Sequence, residues 1–234
     1  MYGYNLSKTE QNQVVYDEGL RSFMLSVYNY MTFALAVSGL VSLGISMSPD
    51  LLKLIWGTNF KWIAIFSPLA MSLAFAFLVQ NMSAYSARVF LIAFAAVMGL
   101  SMSSIFLIFK LGSIAQVFFI TAATFGATSL YGYTTKRDLT NIGSFLMMGV
   151  IGLVIAGLIN VFLQSSMMSL VISCISVIVF VGLTAYDTQN LKNTYDELDE
   201  NEREKAGAIG AFNLYINFIN IFMALMNILG EKKE

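Results

Sequence analysis

Residues 207–230 read GAIGAFNLYINFINIFMALMNILG, an apolar stretch long enough to cross a bilayer that also carries Asn213, Asn217, Asn220 and Asn227. Spacings of four, three and seven residues place those amides in one stripe on an α-helix. A lipid-facing helix does not keep its amides in a line, because an unpaired amide in hydrocarbon is costly. The stripe is therefore expected to face protein or water, with the other helices packed around this one.

The rest of the chain points to the same setting. Of 234 residues, 57% are hydrophobic and 12% charged, and the mean hydropathy is +0.72. In a soluble domain about a quarter of the residues are charged. The charges cluster, leaving uncharged gaps over 21–50, 61–88, 88–110, 110–136, 138–187 and 205–231. A transmembrane helix needs about 20 apolar residues, so each gap holds one span, except 138–187. That gap is about twice as long and is broken by Gln164-Ser165-Ser166, so it holds two. The expected fold is all-α and integral to the membrane, with seven transmembrane helices at about 23–47, 62–79, 89–109, 113–133, 142–163, 167–186 and 207–230. A polar tail over 1–22, a seven-helix domain over 23–230 and a short tail over 231–234 complete the organisation.

Several classes are excluded on composition. The net charge of −1 and the lack of a strongly basic face argue against a nucleic-acid partner. Without histidine, and with Cys174 alone in an apolar run, the chain has no internal disulfide and no Cys/His set for zinc. No metal site and no cofactor are expected. The first twenty residues lack an apolar core and a small-residue cleavage site, so they read as a mature tail and not a signal peptide. Membrane lipid is the partner the composition requires.

Local features refine the spans. Ser38, Gly39, Ser42 and Ser46 form a small-residue surface on the first helix that lets a neighbour approach closely. Trp56 and Trp62 read as interfacial anchors, and Pro68 predicts a kink in the second span. Placing the N-terminus in the cytoplasm puts Lys8, Arg21, Arg88, Lys136, Arg137, Lys192, Arg203 and Lys205 inside. Lys53, Lys61, Lys110, Lys232 and Lys233 then lie outside, so the basic loops favour N-in and C-out. A last span that only re-entered would put the C-terminus inside as well.

Few residues could carry chemistry. Asp187 is the one acid embedded in or abutting a span. Such a group usually faces the bundle interior and serves function, but at a helix end it can also rest in the headgroup region. The polar Thr188, Gln189 and Asn190 fit the second reading. The asparagine stripe favours the first, because four amides on one face beside a lone acid fit a polar passage better than packing alone. Asn217 lies roughly 15 Å into the last helix, and Asn213, one turn shallower, is expected to reach Asp187 directly. Thr121, Thr124 and Thr128 fit either hydroxyls bonded back to their own helix or the lining of a pathway. The acidic run over 196–204 lacks the alternating oxygens and central glycine of an EF-hand loop, so it reads as a solvated connector. No span holds Lys, Arg or His as a base, and no second membrane aspartate completes an aspartyl protease pair. The chain is not expected to be an enzyme.

With these residues in view, the chain resembles the Bax inhibitor-1 family, in its bacterial branch. YDEGLR (16–21) leading into VYNYM (27–31), then TAYDTQ (184–189) and NLYINFINIF (213–222), carry the resemblance. It implies a seven-helix fold with the last helix at the centre and six around it, in the bacterial inner membrane. It also implies a pH-modulated calcium or cation leak, with Ca²⁺ as the transported ion. A second implied role is non-conducting, as a regulator that binds a membrane-bound ATP-dependent protease. In the family, an aspartate ending the sixth span and another in the seventh share a proton and gate the pore. Asp187 matches the first, but the second falls on Asn217. The expected pathway residues are therefore Asp187, Asn213, Asn217 and Asn220. A basic residue expected near the end of the second span is missing, leaving Arg88 as the nearest candidate partner. Two close carboxylates titrate as a pair, whereas an aspartate beside an amide does not, so a weaker or shifted pH response is expected.

Overall fold

The computed structural model describes residues 8–233 of the chain. The first seven residues of the expected tail lie outside the described residues. Nine α-helices occur among those described: α1 (Lys8–Ser46), α2 (Pro49–Trp56), α3 (Phe60–Leu78), α4 (Ala84–Met102), α5 (Ile105–Ile108), α6 (Leu111–Thr134), α7 (Thr140–Leu163), α8 (Ser166–Glu197) and α9 (Glu200–Leu229). Seven spans are long and apolar enough to cross a bilayer: α1, α3, α4 continued through α5, α6, α7, α8 and α9. The protein is an all-α, seven-span membrane protein.

Short polar signals set the helix starts. Ser48 caps α2, accepting from the Leu51 amide ahead of Pro49, and Ser83 caps α4 through the Ser86 amide. At the α7–α8 corner, Gln164 adopts a left-handed conformation, while the Asn160 side chain accepts from the Ser165 amide. Ser165 then caps α8 through the Met168 amide. That corner splits the long uncharged gap at the break seen in the sequence. α3 runs unbroken through Pro68.

Two helices outrun their sequence bounds. α1 begins at Lys8, not Phe23, because Leu20, Phe23, Met24 and Val27 keep a buried helical period and no breaker interrupts them. α8 continues ten residues past Asp187 to Glu197, about 15 Å further than an end at Tyr186 would allow. Two of the polar residues after Asp187, Thr188 and Gln189, do not mark an end of the helix, because they are bonded to neighbouring elements.

α9 is the centre. Two thirds (67%) of its apolar window is buried, against 6% for α7. α1, α4, α6 and α8 pack along it, and α3 joins through Phe75, whose ring stacks on Phe212 at 3.9 Å. Phe94 packs against both Phe212 and Tyr215, the Tyr215 and Ser38 hydroxyls bond at 2.6 Å, and Ser38 donates to the Ala95 carbonyl of α4. α7 takes its place on the outside, packed against α8.

α9 is continuous, and its ends lie at opposite faces of the bundle. At one face Glu204 pairs with Arg88 at the start of α4 (3.0 Å). At the other, the Lys110 amide donates to the Glu231 carbonyl, and Phe109 bridges to Lys232. A re-entrant last span is therefore replaced by a full crossing. The Trp56 indole donates to the fully buried Ser103 hydroxyl at 2.9 Å, whereas Trp62 is 45% exposed.

Candidate functional site

The site forms where α8 and α9 run antiparallel, the most extensive helix pair in the molecule. The Asn217 amide donates to the Asp187 carboxylate at 2.6 Å. Asn217 is buried and Asp187 half-buried. From this pair a crevice of about 210 Å³ opens along the two helices, lined by Asp187, Asn190 and Thr194 of α8 and by Ala206, Gly210 and Asn213 of α9. Asp187 therefore sits within α8 at a crevice against α9, ten residues before the helix ends.

Asn213 does not make the expected bond. It is exposed at the crevice wall, and Asn217, one turn deeper, holds Asp187 instead. Helical side chains lean toward their own N-terminus. In an antiparallel pair, Asp187 therefore leans inward and Asn217 leans outward, and the two meet below Asn213. The rest of the stripe divides. The Asn220 amide donates back to the Ile216 carbonyl of its own helix. The Asn227 amide donates to the Ser169 and Ser173 hydroxyls near the far end of α8. Between Asp187 and Ser173 on α8 lie the buried apolar residues Leu183, Phe180 and Val179.

The residues after Asp187 are clamped by α1, α6 and the α6–α7 loop. Thr188 and Ser129 of α6 bond hydroxyl to hydroxyl at 2.9 Å, and Ser129 bonds the Tyr28 hydroxyl of α1 at 2.5 Å. Gln189 holds the α6–α7 loop with both ends of its amide, accepting from the Leu139 amide and donating to the Arg137 carbonyl, each at 2.8 Å. Two glycines permit the close approach. A Cβ at Gly132 would lie 2.2 Å from the Ala185 carbonyl, and one at Gly143 would lie 2.4 Å from the Tyr186 ring. The TAYDTQ stretch is thus fixed by α6 and α7, presenting Asp187 to α9.

Other sequence candidates go elsewhere. Arg88 pairs with Glu204 and lies over the Tyr30 ring at 4.9 Å, so it is not brought to Asp187. Thr121, Thr124 and Thr128 each donate to the carbonyl four residues back. The inward period of α6 is instead Thr121, Phe125, Ser129 and Gly132. Sequence reasoning missed Ser129 and Gly132 because it grouped by residue type; spacing from Thr121 would have found them. Gln189 was in view but read as headgroup polarity. Among the described residues, no group of three or more His, Cys, Asp or Glu side chains could hold a metal ion.

A lone carboxylate held by an amide, at the inner end of a crevice between two spans of a seven-helix bundle, defines a class of multi-pass membrane protein with a polar centre. The family model described as "Inhibitor of apoptosis-promoting Bax1" matches residues 20–234, and the chain belongs to the Bax inhibitor-1 family. It is 43% identical to an uncharacterized protein of Rickettsia prowazekii, over all of this chain and 99% of that one. It is 42% identical to an uncharacterized protein of Caulobacter vibrioides, over 93% of this chain and 92% of that one. The inner membrane protein YbhL of Escherichia coli is 39% identical, over 92% of this chain and 94% of its own length.

Proposed function

We propose that the chain forms a calcium-permeable cation leak across a bacterial inner membrane, with Asp187 on the pathway. The observation that carries this reading is the Asp187–Asn217 hydrogen bond at the inner end of the α8–α9 crevice. A carboxylate in a recess between spans attracts cations, and ionisable groups within transmembrane segments commonly mark ion pathways. An amide N–H occupies one carboxylate oxygen, and the other side of the acid faces the crevice. An amide cannot share a proton with the acid as a second carboxylate would, so the pH response is weaker than that of a two-acid pair. The name of the Escherichia coli relative supports the inner membrane, and eight basic residues at the Arg21 and Arg88 face against five at the other support N-in.

Calcium flux through the purified protein in liposomes, measured from acidic to alkaline pH, tests the reading. The expected result is a measurable flux with a shallow pH dependence that Asp187→Asn reduces. No flux at any pH would overturn it. Co-purification of a membrane-bound ATP-dependent protease in that case would favour the regulator.

A further inference from the structure

A second cavity reaches the Tyr28 and Ser129 hydroxyls, which lead to Thr188 beside Asp187. It is a groove of about 860 Å³ between α1 and α6, with Phe218 of α9 among its lining residues. Met24, Met31 and Leu35 line it from α1, and Phe118 and Phe125 from α6. At one end are Arg21 and Tyr133. Its size falls within the range of small-molecule sites, about 300–1,000 Å³.

Three observations identify the occupant. The walls belong to two membrane spans, so hydrocarbon and not water borders the groove. From Arg21 to Leu35 the groove follows 14 residues of α1, or about 21 Å at 1.5 Å per residue. Half a bilayer with its headgroup region measures about 20–22 Å, so the groove matches one leaflet. The mouth is basic: Arg21 is exposed, and among the described residues no carboxylate lies within ion-pair distance of it. Exposed Lys136 and Arg137 follow Tyr133 closely in the α6–α7 loop, and the Lys192 ammonium lies 5.1 Å from the Tyr133 ring centre. Nearby Glu18 is exposed, and the Asp138 carboxylate is engaged by Thr140.

We propose that this groove holds one phospholipid of the surrounding bilayer, with an acyl chain between α1 and α6 and an anionic headgroup phosphate on Arg21. The site goes beyond the conducting role and does not depend on it. Arg21 supplies the charge preference, and the aromatic and aliphatic walls hold the chain whatever the headgroup.

Native mass spectrometry of the purified protein, delipidated and then offered phosphatidylglycerol or phosphatidylcholine, tests the proposal. Wild type should retain one phosphatidylglycerol in preference to phosphatidylcholine by about fivefold, the worth of one basic residue at an anionic surface. Arg21→Gln should bring the two lipids to parity. Gly126→Phe should lower retention of both, because Gly126 lines the groove and a Cβ there meets nothing within 4 Å. Equal retention by wild type and Gly126→Phe would overturn the site, and an unchanged preference in Arg21→Gln would overturn the headgroup contact. A second measurement needs no variant. Phosphatidylglycerol with a photoactivatable acyl chain, in vesicles with the wild-type chain, should label α1 and α6 along the groove well above the exposed face of α7; even labelling would refute the proposal.

Discussion

The Asn217 amide reaches from α9 to α8 to donate a 2.6 Å hydrogen bond to the Asp187 carboxylate, joining a buried amide to an acid that lines the α8–α9 crevice. Its partner's chemistry matters on both sides of the bond. Removing the amide strands an acceptor, and replacing it by an acid sets two carboxylates against each other.

Asn217→Leu should therefore destabilise the bundle by about 1–3 kcal/mol, the cost of leaving a buried polar group without its partner. Thermal unfolding in detergent would show it as a lowered midpoint that Asp187→Asn in the same chain partly restores.

If the chain conducts as proposed, Asn217→Asp should instead steepen the pH dependence of flux, because two acids at this distance cannot both ionise freely and must share a proton. Liposome flux across pH is the readout. An unchanged profile would show that the pair does not govern conduction.

Gly132→Val should force α6 from α8, since even a Cβ there would lie 2.2 Å from the Ala185 carbonyl. A backbone atom cannot rotate away, so overpacking of about 1–3 kcal/mol is expected. The loss should appear in thermal stability and, because Ala185 adjoins the site, as faster hydrogen exchange around Asp187.

Gln189→Ala should release the α6–α7 loop, leaving the Leu139 amide and the Arg137 carbonyl without their partner. Each orphaned group costs about 1–3 kcal/mol when buried, less where water reaches it. Local exchange of the Leu139 amide should rise more than the global unfolding rate.

At the start of α7, the Thr140 hydroxyl and then its backbone amide donate to Asp138, and these bonds hold the Asp138 carboxyl below the usual carboxylate range. A folded pKa below the unfolded one contributes stability that is fully present above the unfolded value and is lost as pH falls through the folded one. The Thr140 amide should therefore exchange faster only at strongly acidic pH. Asp138→Asn should flatten that acid limb.

The architecture was legible because charge is excluded from hydrocarbon. Six uncharged gaps, one doubled and broken at Gln164-Ser165-Ser166, are enough to count seven spans. The asparagine stripe likewise marked α9 as the helix that lipid could not surround. Helix ends were less legible, because hydropathy treats Thr188, Gln189 and Asn190 as an approach to water. Two of them are instead tertiary contacts, to Ser129 and to the 137–139 loop. That misplaced the end of α8. The choice between Asn213 and Asn217 turned on side-chain lean in an antiparallel pair, which spacing along one helix does not contain. The α1–α6 groove left no trace in the sequence, since its walls look like any apolar helix face.

The hydroxyls of Tyr28, Ser129 and Thr188 also have an order. Thr188 donates its one proton to the Thr184 carbonyl, which can only accept. Ser129 must then donate to Thr188, and Tyr28 to Ser129. Every rotor in the chain is committed, and its polarity runs from the α1–α6 groove toward the residue beside Asp187. Its members are unequal. Tyr28→Phe removes only the first donor, whereas Ser129→Ala, at the middle, leaves Tyr28 without an acceptor and Thr188 without a donor, so one oxygen carries the hydroxyl link among three helices.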